Sequence, residues 1–382
     1  MKIAIVCPYD IERAGGVQVH ILDLANSLRK RGHNVWVIAP KTNNAESCLE
    51  GIALFGKSTS FVFNETQIDA SLVWGKEKKR LKQWLADQQF DVIHFHTIWD
   101  PFLSFQILSM CKNTARVATF HDTPPETLSG NLTRKVFYRL SQLLYRWLDG
   151  VSAVSVSPAA HLYKSPTHPI RLMPPSINYS SFLKVKRNLD PSGPQTIFFV
   201  SRLDPRKGVL TLLKAYEKIK TQVGNIRLVI AGDGEDKKAL EKTIKGRNIQ
   251  DVHVLGYINE DEKIDWLAKS DVFCSPAHYG ESFGIVLVEA MATGVPVIAA
   301  ANSGYKTILH EKVEHCLFTP TDEDQLAERL LTLLGDEKLR TELSVWGREQ
   351  AIKYDIESWV GKWEDVYKEA IKRRGKIVSK NK

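Results

Sequence analysis

The sequence has no long uninterrupted apolar run. Its best candidate for a membrane span, residues 284–301, is broken by Glu289, Gly294 and Pro296, whereas a spanning helix needs roughly 18 or more consecutive apolar residues. The opening stretch, MKIAIVCPYD, has neither a long apolar segment nor a small-residue cleavage site, so it does not match a secretory signal peptide. We therefore expect a cytoplasmic protein.

Cysteine is scarce and shows no pairing pattern. The five cysteines have no CxxC or Cys/His spacing, so the sequence predicts neither a disulfide framework nor a zinc site. We expect free thiols at Cys7, Cys48, Cys111, Cys274 and Cys316.

The composition is that of a folded protein with more than one core. Apolar residues make up 43% and charged residues 25% of the 382 positions, which is typical of globular chains and argues against extensive disorder. This length favours two domains of roughly 150–200 residues each. The net charge of +8 is compatible with nucleic acid, an anionic membrane or a phosphorylated substrate, and only the distribution of the charge can separate these.

One cluster of basic residues lies in the segment KEKKRLKQWL. Leu81, Trp84 and Leu85 share one face of a helix there, and the basic residues lie elsewhere on the helix. Two interpretations stay open, a solvated helix whose apolar stripe packs on its own domain, or contact with a membrane surface. The basic residues are Lys76, Lys78, Lys79, Arg80 and Lys82.

Short apolar runs alternate with helical patterns along the chain, which predicts βαβ units and parallel sheets in an α/β protein. A segment rich in Pro, Ser and charge, residues 173–195, predicts an interdomain linker between domains at 1–175 and 190–355. A C-terminal helix at about 356–374 is expected to pack back on the first domain, followed by a disordered basic tail. The predicted strands are KIAIV, NVWVIA, DVIHF, RVATF, VSAVS, TIFFV, IRLVIA, DVHVL, DVFCS and VPVIA.

The residues directly after these strands are the candidates for a ligand site, because open parallel sheets bind ligands beyond the carboxyl ends of their strands. A Gly-Gly pair could approach a phosphate, a histidine could titrate at the sheet edge, and a basic loop could hold an anion. An ordinary turn, a lone histidine and plain surface charge remain the alternatives. The residues concerned are Gly15, Gly16, His121, Asp122, Arg202, Arg206 and Lys207.

Glu289 stands inside an otherwise apolar helical pattern, HYGESFGIVLVEAMATG. Burying an unpaired carboxylate costs several kcal/mol, so this side chain needs a polar partner. A helix that begins near Ser282 would place Glu281 and Glu289 roughly 12 Å apart along its axis, with a helix N-terminus between them for a diphosphate. Ligand hydroxyls and a basic neighbour in the fold are the two candidate partners for Glu289.

Three stretches together resemble the retaining family 4 glycosyltransferases of GT-B fold, in which two Rossmann-like parallel-sheet domains face each other across a cleft. They are GGVQVHILDLANSLRKRGHNVWVIAP, SRLDPRKGV and HYGESFGIVLVEAMATGVPVIA, and Glu281 and Glu289 form the E-x7-E pair. The similarity covers nearly the whole chain. Within the family, IVCPY, GGVQ, FDVIHFH, VATFH and GESFGIVLVEAMA are most similar to the bacterial phosphatidylinositol α-mannosyltransferases.

The resemblance implies roles for individual residues. It implies a nucleotide-sugar donor in the C-terminal domain and an acceptor in the N-terminal domain, which close on each other for catalysis. Catalytic roles fall on His121, Glu281, Arg202 and Lys207. The basic helix matches a membrane-docking helix, which implies a peripheral enzyme on the inner membrane face. Donor binding falls on Gly15, Gly16, Arg202, Lys207, Ile258, Lys263, Glu281, Ser282, Phe283, Gly284, Ile285 and Glu289.

The resemblance also implies a mechanism. The acceptor attacks from the face that the diphosphate leaves, and the departing phosphate takes the acceptor's proton. The expected loop lacks an Asp-x-Asp motif, so Arg202, Lys207 and helix N-termini would stabilise the leaving group without a metal or other cofactor. Two segments depart from the family pattern. LMPPSIN, residues 172–178, stands where the family has Ile-Pro-Asn-Gly, and residues 42–75 match no motif.

The resemblance favours transfer of mannose from GDP-mannose to a lipid such as phosphatidylinositol, and several other functions are alternatives. UDP-glucose or UDP-N-acetylglucosamine could be the donor, with a polysaccharide, lipopolysaccharide or soluble acceptor. A non-catalytic sugar-nucleotide or membrane-binding module would keep the fold. A nicotinamide oxidoreductase is disfavoured because AGDGEDKKAL has Lys237 in place of the third glycine of G-x-G-x-x-G. No nucleic-acid partner is expected.

Overall fold

The computed structural model describes residues 1–12, 15–41, 50–63, 66–98, 102–124 and 128–380. The chain divides into two compact units. The N-terminal unit comprises Met1–Ile177 together with Ile356–Lys382, and the C-terminal unit comprises Asn178–Asp355. The division between residues 177 and 178 falls near the start of the Pro- and Ser-rich segment 173–195.

The N-terminal unit is built on an eight-stranded sheet in the order β4-β3-β2-β1-β5-β6-β7-β8. Its strands pair in parallel except β3 and β4, which are antiparallel. The strands are β1 Lys2–Val6, β2 Asn34–Lys41, β3 Ile52–Phe63, β4 Thr66–Leu72, β5 Val92–His96, β6 Ala115–Phe120, β7 Gly150–Ala153 and β8 Ile170–Leu172.

The C-terminal unit contains a six-stranded parallel sheet in the order β11-β10-β9-β12-β13-β14. Every strand predicted from the sequence is present in one of the two sheets, whereas β3, β4, β8 and β14 were not predicted. The strands are β9 Gln195–Val200, β10 Ile226–Ala231, β11 Val252–Gly256, β12 Val272–Ser275, β13 Val297–Ala300 and β14 Leu317–Phe318.

Helices connect the strands. Four short 3₁₀ turns lie between other elements, at Tyr145–Trp147, Pro205–Lys207, His310–Lys312 and Ile352–Tyr354. The helices are α1 Gly16–Lys30, α2 Gly75–Gln88, α3 Leu103–Met110, α4 Leu128–Leu144, α5 Val156–Ala159, α6 Tyr179–Leu183, α7 Val209–Lys220, α8 Lys237–Arg247, α9 Glu260–Ala268, α10 Ile285–Thr293, α11 Ser303–Leu309, α12 Val313–Cys316, α13 Glu323–Gly335, α14 Glu337–Ala351 and α15 Ile356–Lys380. Among the described residues, no helix has the length and apolar character needed to cross a bilayer.

The helices of the N-terminal unit cover the two faces of its sheet. On one face, Leu24 of α1 and Trp363 of α15 belong to a single buried apolar cluster. On the other face, Leu81 of α2, Ile107 of α3 and Leu144 at the end of α4 belong to a second cluster. The helices α2, α3 and α4 therefore form one layer.

The C-terminal helix is longer than predicted. It runs to Lys380, so the expectation of a disordered tail after residue 374 is wrong for residues 375–380. The Nε and Nη2 atoms of Arg374 lie 2.9 and 2.8 Å from Oδ2 of Asp149, and both side chains are buried. This buried ion pair fixes the last turns of α15 on the sheet of its own unit.

Both sheets have a point at which the strand order reverses. In the N-terminal unit it lies between β1 and β5, and in the C-terminal unit between β9 and β12. Loops that leave neighbouring strands in opposite directions open a crevice there, and ligands of parallel α/β sheets bind in such crevices. The loops after these strands therefore define the candidate site in each unit.

Candidate active site

Two loops of the C-terminal unit, residues 201–208 after β9 and residues 276–284 after β12, are joined by their backbones. The amide of His278 donates to the carbonyl of Arg206 at 2.7 Å. Gly208 has φ +71°, and a Cβ there would lie 2.3 Å from the carbonyl oxygen of Pro276. Only glycine permits this approach without moving the backbone, so the two loops form one rigid surface.

Lys207 and Glu281 form an ion pair at the centre of this surface. Their side chains are only 16% and 14% exposed. Desolvation by burial lowers the pKa of Lys207, and the charge of Glu281 opposes this shift. Burial raises the pKa of Glu281, but the charges of Lys207 and Arg206 outweigh it and hold that pKa below its ordinary value. Each charge thus stabilises the charged form of its partner against the effect of burial.

The same loops carry an excess of positive charge. Arg202 Nη2 lies 3.3 Å from Asp204 Oδ2, and Arg206 Nη1 lies 4.0 Å from Glu281 Oε1. Three cations, Arg202, Arg206 and Lys207, thus share two carboxylates, Asp204 and Glu281. By residue count, the two loops together therefore carry a net charge of +1.

Helix α10 begins at Ile285, three residues later than predicted. Its N-cap, Gly284, has φ +105°, and a Cβ there would lie 2.6 Å from the ring of Tyr305. The estimate of 12 Å between Glu281 and Glu289 assumed a helix from Ser282 and is therefore wrong in its geometry. The N-terminus has no side-chain cap and no acidic residue in its first turn, so its positive end is available to an anion.

Glu289 has a basic neighbour in the fold, one of the two candidate partners proposed from the sequence. Its Oε2 lies 2.8 Å from Nζ of Lys263, and Glu289 is only 2% exposed. Lys263 also contacts Glu260 at 2.6 Å. Burial lowers the pKa of Lys263, but the charges of Glu289 and Glu260 outweigh it, so the pKa is raised. The lysine is therefore an ammonium shared by two carboxylates.

Two residues that the sequence did not single out hold the 276–284 loop. Asn302 Nδ2 donates to the carbonyl of Ala277 at 2.9 Å, and the Tyr305 hydroxyl lies 2.7 Å from Ser275 Oγ. Gly304 is equally constrained, because a Cβ there would lie 2.4 Å from the carbonyl oxygen of Glu281. The signal in the sequence was the segment NSGYK directly after the β13 strand.

In the N-terminal unit, His121 lies directly after β6 and is 8% exposed. Its Nε2 lies 2.8 Å from Nδ1 of His96, the last residue of the neighbouring strand β5. Burial and, to a smaller extent, the charge of His20 lower the pKa of His121 to about 3. His121 is therefore neutral at physiological pH, when it can donate one hydrogen bond and accept another.

His121 belongs to a buried cluster of four histidines. His94 Nδ1 lies 2.8 Å from the hydroxyl of Tyr367, and the rings of His20 and His96 are 5.7 Å apart. The amide of Ser176 donates to Nδ1 of His20 at 3.1 Å. Ser176 lies in the LMPPSIN segment that departs from the family pattern, so α1 holds this segment. The signal for the cluster was the alternating HFH at the end of β5, which places both histidines on one side of the strand.

The remaining predicted residues occupy defined places. Gly15 is the N-cap of α1, which begins at Gly16. Ile258 is partly buried just before the cap of α9. Phe283 packs its ring against Tyr354, so only its backbone faces the loop surface. Ser282 lies in the loop before the Gly284 cap.

The basic helix α2 uses its apolar stripe inside its own unit. Leu81 and Leu85 are buried, and Trp84 packs against Trp36 at 5.6 Å between ring centroids. Lys76, Lys78, Lys79, Arg80 and Lys82 are exposed, although the Arg80 guanidinium stacks on Phe55 at 4.8 Å. From Gly75 onward, helix α2 therefore presents mainly charge to the solvent, while its N-cap, Trp74, is 72% exposed.

The cysteines agree with the sequence prediction where they are described, because Cys7, Cys111, Cys274 and Cys316 are free thiols. Cys48 lies outside the described residues. The described part of the chain contains no group of three or more His, Cys, Asp or Glu side chains arranged to hold a metal ion. Of the unmatched segment 42–75, residues 50–63 and 66–75 are described and include the β3–β4 hairpin.

Comparison with known proteins assigns the chain to a family. The family model described as Glycosyltransferase Family 4 matches residues 14–181, and the one described as Glycosyl transferases group 1 matches residues 182–350. A phosphatidyl-myo-inositol mannosyltransferase of Mycolicibacterium smegmatis is 32% identical over 359 residues, which cover 93% of this chain and 90% of that protein. The chain is a family 4 glycosyltransferase. A phosphatidyl-myo-inositol mannosyltransferase of Mycobacterium tuberculosis H37Rv is also 32% identical to this glycosyltransferase, over 93% of each chain.

Solved structures show the fold of this glycosyltransferase. Sucrose-phosphate synthase from Thermosynechococcus elongatus aligns with a TM-score of 0.74 and 20% identity, over 96% of this chain and 98% of that one. HepE from Anabaena, in complex with UDP and glucose, aligns with a TM-score of 0.73 and 18% identity over the same shares. The two parallel-sheet α/β units are those of the GT-B fold.

The structure brings some of the predicted site residues together. Arg202, Lys207 and Glu281 share one surface of the C-terminal unit, and Lys263 and Glu289 form a second pair in the same unit. Gly15, Gly16 and His121 belong to the N-terminal unit.

Proposed function

We propose that this glycosyltransferase transfers mannose from GDP-mannose to a membrane lipid such as phosphatidylinositol, with retention at the anomeric carbon, as a peripheral enzyme of the inner membrane face. The observation that carries the proposal is the excess of positive charge on the 201–208 and 276–284 loops beside the uncapped N-terminus of α10. Mannose and the lipid acceptor are supported by the 32% identity to phosphatidyl-myo-inositol mannosyltransferases.

Lys207 and Arg202 are proposed to bind the donor diphosphate. Cleavage of the sugar–phosphate bond leaves negative charge on that diphosphate, and fixed cations and a helix N-terminus stabilise such charge without reorganisation. Lys207 is paired with Glu281. With donor bound, the ammonium would contact the phosphate, and Glu281 would accept hydrogen bonds from sugar hydroxyls.

No metal is required in this proposal, because the leaving-group charge is met by side chains and backbone. EDTA should therefore leave the rate largely intact. Loss of activity in EDTA, restored by Mg²⁺ or Mn²⁺, would contradict this mechanism.

Glu289 is proposed to hold the donor ribose through its carboxylate. Burial raises the pKa of Glu289, and the charge of Lys263 opposes that shift and so favours the ionised form. Lys263 also orients the carboxylate, since the ammonium contacts Oε2 at 2.8 Å and is held in turn by Glu260. An ionised carboxylate can only accept hydrogen bonds, and ribose hydroxyls can donate them.

His121 is proposed to face the transferred sugar and the acceptor. Its Nε2 is engaged by His96, so we assign Nδ1 to the substrate. Because burial keeps the imidazole neutral, it would orient a hydroxyl by hydrogen bonding. The departing phosphate is proposed to take the acceptor's proton.

Calorimetry with GDP-mannose, UDP-glucose and UDP-N-acetylglucosamine tests the donor assignment. GDP-mannose should bind most tightly. Preference for a UDP-sugar would overturn the donor and favour another acceptor. Tight binding of GDP-mannose without turnover on any lipid or soluble acceptor would instead indicate a binding module.

A further inference from the structure

Helix α4 and the short 3₁₀ turn at its end carry large apolar side chains that the fold leaves uncovered. Leu132 is 66% exposed, Val136 and Leu143 are each 51% exposed, and Trp147 is 46% exposed. At about 100° per residue, Leu132, Val136 and Leu143 lie within about 40° of one another on the helix. They form an apolar stripe that Arg139 interrupts between Val136 and Leu143, and the N-terminal unit does not use this stripe in its core.

The opposite side of α4 is the one that packs. Leu144 and Tyr145 belong to the buried cluster that also contains Leu81 and Leu85 of α2. The exposed stripe is therefore not the face by which α4 packs on its own unit, because another face of the helix is already buried. Large apolar side chains that stay exposed together on one helix face are a candidate interaction site.

Positive charge flanks the stripe. The segment from residue 128 to residue 147 contains four basic residues and no Asp or Glu. On the helix wheel, Lys135, Arg139 and Arg146 lie within about 60° of Leu132, on one side of the stripe. These three side chains are exposed and make no ion pair among the described residues. The nearest acidic residue after the segment, Asp149, is buried and held by Arg374.

We propose that α4 is a second membrane-docking element, which inserts the stripe of Leu132, Val136, Leu143 and Trp147 into the interface of an anionic bilayer. Apolar side chains beside lysine and arginine are the pattern of helices that lie in a membrane interface. An exposed Trp such as Trp147 suits the same depth. A second copy of the chain is disfavoured, because a self-complementary contact would set these positive charges against each other.

In this proposal α2 and α4, which lie in one layer, both bind the membrane, but through different interactions. Helix α2 offers lysines while its apolar stripe is buried, so the attraction of these lysines to a bilayer is electrostatic and is screened by salt. Helix α4 offers apolar insertion as well as charge. Its contribution should persist at high salt.

The test is vesicle sedimentation of the full chain, without donor or acceptor. Vesicles contain equal parts of phosphatidylglycerol and phosphatidylcholine. Leu132→Ser with Leu143→Ser should weaken binding roughly 10-fold or more, since insertion strength follows buried apolar area. The matched control is Val313→Ser with Val345→Ser, two side chains of the C-terminal unit that are 53% and 55% exposed, and it should bind like the wild type.

The salt dependence of vesicle binding distinguishes the contribution of α4 from that of α2. In about 1 M NaCl, where the Debye length is about 3 Å, the wild type should retain part of its binding and the Leu132/Leu143 variant should lose it. Quenching of tryptophan fluorescence by brominated lipid should decrease in Trp147→Phe. Wild-type binding by the double variant, no binding by the wild type, or a wild-type dimer that the variant dissociates would each overturn the proposal.

The inference rests on the proposed function, because an enzyme that acts on a lipid acceptor has to bind at the membrane surface. The two can fail separately. Vesicle binding is measured without any sugar nucleotide, and calorimetry with GDP-mannose on the Leu132/Leu143 variant reports the donor site alone. Normal donor binding with lost vesicle binding supports α4 as a docking element, whatever the acceptor proves to be.

Discussion

Lys263 Nζ lies 2.8 Å from Oε2 of Glu289 inside the C-terminal unit, and both residues are less than a tenth exposed. The glutamate that interrupts an apolar helix is thus paired by a lysine from the preceding helix, α9. The capping box of Asn259 and Glu262 fixes the first turn of that helix. The lysine therefore reaches Glu289 from a defined position.

This pair should show strong coupling in stability. Lys263→Met leaves a buried carboxylate without its cation and should cost about 3–5 kcal/mol of unfolding free energy. The double variant Lys263→Met/Glu289→Gln should recover much of that loss, because no unpaired charge remains. Urea denaturation of the four proteins gives the coupling. Additive effects of the two substitutions would show that the pair does not act as a unit.

Replacing Lys207 should lower the rate of transfer far more than it lowers the stability of the surrounding helices. Lys207→Ala removes a charge-assisted contact to the leaving diphosphate and should lower kcat/KM about 10²-fold, or about 3 kcal/mol. Lys218→Ala on α7 is the control, because Lys218 pairs only with Glu323 and Asp324 at the surface. Steady-state kinetics of both variants decide the question. Wild-type turnover in Lys207→Ala would refute the role of the lysine.

The histidine cluster should make stability depend on pH. Burial lowers the pKa of His20 to about 4 and that of His121 to about 3, and it lowers those of His94 and His96 well below the ordinary value. Between pH about 6.5 and 5 the unfolded chain binds these protons and the folded chain does not. Stability is therefore fully present above pH about 6.5. It falls on acidification by up to about 1.4 kcal/mol per pH unit for each histidine.

Urea denaturation at pH 7, 6 and 5 measures this slope. His20→Gln should reduce the slope by one proton, whereas His310→Gln should leave it unchanged, since the side chain of His310 is 65% exposed. Equal unfolding free energies of the wild type at pH 7 and pH 5 would contradict a neutral buried cluster.

The lysines of α2 should contribute to membrane binding through charge alone. Lys78, Lys79 and Lys82 are exposed, and each should contribute on the order of 1 kcal/mol near an anionic surface. Changing all three to Ser should weaken vesicle sedimentation roughly 10²-fold at low salt while donor affinity stays unchanged. Arg80 is kept, because its stacking on Phe55 would confound the result.

The control for this variant removes the same charge elsewhere. Lys238, Lys242 and Lys245 are exposed on α8 of the C-terminal unit, and their triple Ser variant should sediment like the wild type. Equal losses in both variants would mean that only net charge matters. Undiminished binding of the α2 variant would make α2 an ordinary solvated helix.

The sequence predicted the parallel sheets and the loops that carry the site, because buried strands such as TIFFV and DVFCS are short apolar runs between helical patterns. It did not predict the β3–β4 hairpin. In TQIDASL the apolar residues Ile68, Ala70 and Leu72 alternate with polar ones, and KSTSFVF ends in a short apolar run. These patterns are compatible with strands, but the register comes from pairing across the hairpin.

The details of the site depended on tertiary contacts that the local sequence does not contain. Helix α10 starts at Ile285 because Gly284 takes a left-handed conformation against the ring of Tyr305. The partner of Glu289 lies on another helix, so the sequence could only name a basic neighbour as one alternative. The histidine pair of His96 and His121 joins neighbouring strands, and only the sheet order brings them together.

Transfer of label from GDP-mannose is the most direct test of the proposed activity. The purified chain is incubated with radiolabelled GDP-mannose and vesicles that contain phosphatidylinositol, and label is counted in the lipid extract. We expect a mannolipid to form with wild-type protein, and its rate of formation to fall about 10²-fold with Lys207→Ala. Label that stays water-soluble with GDP-mannose while a UDP-sugar labels another acceptor would contradict the account.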